Sequence, residues 1–138
     1  MTKGLYWAMT FTFALSFSLL PPVVFATNLD FLSEVKDQVT YFQFIMLITY
    51  NLGDFMGRWA GNVRCLLIKR QATLIGVYCR VVFFATFIPI MFETQPRWLF
   101  GADWFKLANI WMLGVTNGYF STIAALLAPA HVPYEMRQ

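Results

Sequence analysis

The sequence predicts an all-α, polytopic membrane protein with four transmembrane helices. Three observations carry that reading. Of the 138 residues, 59% are hydrophobic and 12% charged, where soluble domains run at roughly 25% charged. Aromatic residues make up 19% of the chain, more apolar surface than so short a soluble protein could bury. The ten Lys and Arg and the seven Asp and Glu are clustered, so stretches 4–29 and 107–134 hold no formal charge. Uninterrupted apolar runs beyond about 18 residues read as membrane spans.

The same composition excludes several functions. The net charge of +3 is scattered over connections rather than gathered in a patch, so no nucleic-acid partner is expected. Cys65 and Cys79 are the only cysteines, and both fall at or in a span. They make no disulfide framework, and a single His makes no metal cluster. No glycine-rich phosphate loop and no catalytic set at membrane depth are visible, so neither an enzyme nor a cofactor is expected.

The chain reads as a single transmembrane domain over 1–138. The first span is expected at 5–27, where Pro21 and Pro22 remove helical donors and should kink or end it. Pro21 is therefore a candidate hinge. Lys3, the apolar run and Val24-Phe25-Ala26 imitate a cleaved signal, but the run is longer than a signal core. The second span, 39–62, carries Asp54 and Arg58 in its later half. A basic turn with Arg64, Lys69 and Arg70 leads to the third span, 71–92, which has Arg80 near its centre. The fourth span, 106–130, stops at Pro129 and Pro133, and His131 beyond it reads as interfacial. Each is long enough for a hydrocarbon core of roughly 30 Å.

Loop charges orient the bundle. The turn between spans two and three has three cations and no acid, which places it in the cytoplasm. The connection between spans one and two has Asp30, Glu34, Lys36 and Asp37, which places it outside. Lys3 and Arg137 then fall inside, so both ends of the chain are expected to be cytoplasmic. Trp98, Phe100, Trp104 and Phe105 gather beside the outer connection, where an aromatic belt belongs.

The second span holds the richest chemistry. Asn51, Asp54 and Arg58 are spaced i, i+3, i+7 and share one helical face. A charge at the centre of a spanning helix costs about 2.5–3.5 kcal/mol on insertion scales. Such groups persist where they face a bundle interior or a wet cavity. One reading is a self-neutralising Asp54–Arg58 pair that only lets the helix insert. The other is a binding face for a polyhydroxylated or amide-like solute, since Asp accepts from hydroxyls and Arg donates to oxygens or ring nitrogens. Arg80 has no acid one turn away, so it needs partners on another helix and reads as structural or gating. Asn117 also needs interhelical partners, and packing is its expected role. Gly53, Gly57 and Gly61, with Gly114 and Gly118, are spaced for close helix approach.

These features, in this order, resemble the C-terminal part of the equilibrative nucleoside transporter family. The stretch 51–58, with its Asp-x-x-Gly-Arg core at Asp54 to Arg58, looks like that family's eighth transmembrane helix. The aromatic-rich stretch 10–23 with Leu20-Pro21 is similar to the seventh, and Arg80 with the run to Pro89 to the ninth. Asp103-Trp104-Phe105, Asn117-Gly118-Tyr119 and Pro129 resemble the tenth and its approach. The resemblance implies part of the C-terminal half of a major-facilitator-like, eleven-helix transporter. It implies that Asp54 and Arg58 contact a nucleoside, largely at its sugar, with Asn51 on the same wall. It also implies that the chain is a fragment whose partners are the bilayer, a nucleoside or nucleobase, and a missing N-terminal half. The expected function is facilitative or proton-coupled nucleoside transport. The alternatives are a non-transporting tetraspan remnant or interaction protein, and a small oligomeric channel lined by Asp54 and Arg58.

Overall fold

The computed structural model describes residues 3–26, 38–63, 68–92 and 102–127, and the helices within them are the only regular structure there. α1 runs Lys3–Ala26 and α2 runs Gln38–Asn62. α3 (Arg70–Cys79) and α4 (Val82–Met91) follow, then α5, Asp103–Leu127. Asp30, Glu34 and Asp37, Arg64, Cys65, Trp98, Phe100, Pro129, His131 and Arg137 lie outside the described residues.

Among the described residues, three segments are long and apolar enough to cross a membrane: Tyr6–Val24, Gln71–Met91 and Asp103–Leu127. α2 equals α5 in length, at 25 residues, but its polar positions, Asp54 and Arg58 among them, dilute its apolar character. Twenty-five residues rise about 37 Å, enough to cross a bilayer core.

α2 and α5 form the most extensive pairing in the bundle. Glycine makes it possible. A Cβ on Gly53 would stand 2.5 Å from the Trp111 carbonyl oxygen, and one on Gly57 would strike that of Val115. From the other side, Gly114 and Gly118 would strike the carbonyl oxygens of Tyr50 and Asp54. Side chains under 3.0 Å from rigid backbone cannot be accommodated, so the two helices touch backbone to backbone. In lipid, where apolar burial offers little drive between helices, such close van der Waals contact is a main source of association.

α1 lies across α5 and against α3 and α4. Its Leu15, Leu19 and Val23 meet Phe83, Phe87 and Ile90 of α4, Phe42 and Met46 of α2, and Ile110 and Leu113 of α5 in one buried cluster. α1 stays helical through Pro21 and Pro22 to Ala26, and both rings lie exposed.

The third apolar segment is interrupted at Arg80 and Val81. Both keep right-handed helical dihedrals, with φ, ψ of −61°, −15° and −55°, −25°. Their hydrogen bonds, however, tighten. Arg80 and Val81 donate to Val77 and Tyr78, and Phe83 and Phe84 donate back to Arg80 and Val81, all three residues apart. A 3₁₀ stretch inside a long helix often marks a hinge or a local demand on the backbone. The demand here is visible: Arg80 is 2% exposed and drives its side chain between α1 and α5.

Candidate functional site

Where α1, α2 and α5 meet, a pocket of about 290 Å³ opens, close to the lower end of the roughly 300–1,000 Å³ typical of small-ligand sites. Its polar lining is Ser16, Tyr50, Asn51, Asp54, Arg58 and Asn117. Phe13, Phe17, Leu20 and Leu47 supply an apolar wall. The helical face anticipated from spacing, Asn51 with Asp54 and Arg58, therefore lines one cavity.

Asp54 is the centre of the arrangement. Its Oδ2 accepts from Arg58 Nε at 2.7 Å, within the same helix. Its Oδ1 accepts from Asn117 Nδ2 of α5, also at 2.7 Å. Both lengths fit charge-assisted hydrogen bonds. Asp54 keeps 17% of its side-chain surface exposed and Arg58 keeps 50%. Among the described residues the Arg58 Nη nitrogens carry no hydrogen bond, so they remain donors at the pocket. An ionised carboxylate has about four acceptor positions, of which two are used. Asn51 ties its Nδ2 to the Leu47 carbonyl at 2.8 Å and keeps its amide oxygen as an acceptor.

Arg80 sits behind this wall and does not line the pocket. Its Nη2 donates to Ser16 Oγ at 2.8 Å and to the Leu113 carbonyl at 3.4 Å, and Nη1 donates to the Thr12 carbonyl at 3.3 Å. The partners it requires thus come from α1 and α5, and they are a hydroxyl and main-chain oxygens rather than a carboxylate. Its Nε has no hydrogen-bond partner among the described residues. Pro21 also stands apart from the polar cluster, on the exposed side of α1. Asn117 is 3% exposed and bridges α1 to α2.

Sequence reasoning missed two members of the polar lining, Tyr50 and Ser16. Ser16 lies one turn after Thr12, and of the hydroxyl residues Thr10, Thr12, Ser16 and Ser18 in this span those two form the buried i, i+4 pair. Thr12 Oγ1 satisfies itself on the Ala8 carbonyl at 2.8 Å, which leaves Ser16 as the hydroxyl that reaches across the bundle. No group of three His, Cys, Asp or Glu that could hold a metal occurs among the described residues.

An all-helical bundle with membrane-length apolar segments and a charged pair at a polar pocket defines a polytopic membrane protein. The family model described as nucleoside transporter matches residues 2–138, and the chain belongs to that family. No solved structure matches it. Membership places the chain in a membrane and supports a general role in transport.

Proposed function

We propose that the pocket beside Asp54 and Arg58 binds a nucleoside or nucleobase, and that this chain forms a C-terminal part of a facilitative carrier. The observation that carries the reading is the state of the ion pair. Asp54 holds Arg58 by Nε alone, so the two Nη groups of the guanidinium and the spare acceptor positions of the carboxylate are presented together at the cavity. Hydroxyls of a sugar can donate to Asp54, while Arg58 donates to ring oxygens or nitrogens. Phe13 and Phe17 offer an apolar wall suited to the face of a base.

A pair that served insertion alone would gain most by turning away from any cavity and engaging fully. Arg58 instead stays half exposed at the pocket. Carriers of this general kind place the solute between two halves that rock against each other. On that scheme this chain supplies one wall, a companion N-terminal half supplies the other, and both ends of the chain face the cytoplasm. Proton coupling, where present, would act through Asp54, the carboxylate that lines the pocket.

The test is uptake of radiolabelled adenosine and uridine into proteoliposomes holding this chain, alone and beside the N-terminal half of a family member. Saturable uptake that requires both halves supports the reading. Conductance without saturation would favour a channel, and no solute binding by inserted protein would favour a non-transporting bundle.

A further inference from the structure

Three helices and the α3–α4 junction contribute to a line of hydrogen bonds with one direction. Arg80 is donor-only, so Ser16 Oγ must accept from its Nη2 at 2.8 Å. The Ser16 hydroxyl is then free to donate, and it does so to Asn117 Oδ1 at 2.9 Å. That fixes the amide: Nδ2 of Asn117 points at Asp54 Oδ1, an acceptor, at 2.7 Å. Every proton in the line is handed toward the carboxylate, an order in which successive bonds polarise and strengthen one another. Asp54 therefore receives one cation directly, Arg58, and a second, Arg80, through two neutral intermediates.

We propose that Asn117 is a positioning residue for solute recognition, aiming the Asp54 carboxylate and through it the Arg58 guanidinium. The proposal rests on the reading of Asp54 and Arg58 as the recognition pair. Asparagine suits the place because it accepts at one end and donates at the other. The register that delivers it is set by the next residue, Gly118, whose missing side chain lets α5 lie against the Asp54 backbone. Exchange of the amide for a carboxyl reverses one end only. An ionised Asp at 117 still accepts from Ser16 but sets acceptor against acceptor at Asp54, and a proton shared between the two carboxyls restores the bond.

Asn117→Asp should therefore make recognition depend on acid. The charged and titratable groups around the pair are Asp54, Arg58 and Tyr50 on α2 and Arg80 at the α3–α4 junction. α1 brings Thr12 and Ser16, with Lys3 and Tyr6 confined to its first turn. α5 has Tyr119 two residues on, with Asp103 and Lys106 in its first turn.

The experiment measures radiolabelled uridine and adenosine affinity, and the unfolding temperature without solute, for the chain reconstituted beside the N-terminal half of a family member, at about pH 7.5 and about pH 5.5. Asn117→Asp should bind roughly tenfold more weakly than wild type at the higher pH, the scale of one hydrogen bond to a charged group. It should regain most of that loss at the lower pH, where its unfolding temperature should also rise, while wild type changes little in either respect. Ser16→Ala, which keeps the donor at Asn117 but removes its support, should weaken binding by roughly threefold at both pH values. Affinity of Asn117→Asp that matches wild type throughout, or that is lost equally at both pH values in folded protein, overturns the proposal. Arg58→Ala that binds as well as wild type overturns the underlying reading of the site instead. The solute-free unfolding profile then still decides whether Asn117 donates to Asp54.

Discussion

Arg58 and Arg80 are two guanidinium groups in neighbouring parts of one bundle, and their surroundings are opposite. Arg58 keeps half its side chain exposed, faces a pocket and has a carboxylate on one nitrogen. Arg80 is almost wholly buried, does not line that pocket and is held by a serine hydroxyl and two main-chain oxygens. A cation in a membrane protein thus has two ways to persist. It can sit at a wet cavity with its counter-charge, where its remaining donors can serve a ligand. It can also be enclosed by dipoles, where its donors serve the fold. The distortion of the backbone at Arg80 and Val81 accompanies the second solution, and α2 remains helical without a break at Arg58.

Substitutions should separate the two regions. The largest effect is expected at the seam that holds both in place. Gly118→Val would drive a branched side chain into the Asp54 carbonyl and force α2 from α5. Overpacking of this kind costs about 3 kcal/mol or more when backbone cannot yield, so size-exclusion chromatography should show little folded monomer. Asp54→Asn comes next. It removes the charge that orients Arg58, and solute affinity should fall roughly thirtyfold, the size of one lost charge-assisted hydrogen bond, with folded yield largely kept.

Arg80→Ala should do the reverse. It empties a buried position and leaves Ser16 without its donor, so thermal stability should fall by about 2 kcal/mol. Affinity of the protein that folds should change only severalfold. An Arg80→Ala variant that folds normally yet binds nothing would collapse the distinction between the two arginines. The smallest effect is expected at Asn51, whose amide nitrogen is tied within its own helix. Asn51→Ala should weaken binding by about twofold to threefold, within the scale of one exposed hydrogen bond, measured by competition against labelled uridine.

The membrane fold was legible because composition and run length decide it: charge-free stretches cannot be soluble, and helices satisfy their own backbone in lipid. The pairing of Asp54 with Arg58 was legible too, since i, i+4 spacing puts two side chains within reach whatever surrounds the helix. Small-residue spacing marked the glycine seam, although the register between α2 and α5 emerges only when the helices dock. The position of Arg80 could not be read in the same way. Its partners are Ser16 and two carbonyls from distant segments, and main-chain oxygens leave no trace in a sequence. Asn117 was expected to need interhelical partners, and it spans from Ser16 to Asp54, neighbours set by the three-dimensional packing more than by its local motif.

The most direct test measures equilibrium adenosine binding and folded amount together, on the same membranes, for wild type and Arg58→Ala, each beside the N-terminal half of a family member. Saturable binding by wild type and roughly hundredfold weaker binding by the variant at equal folded amount is the expected result. Equal affinity in the two proteins would contradict it. So would a loss of binding fully matched by a loss of folded protein, which would mark Asp54 and Arg58 as a pair that serves insertion alone.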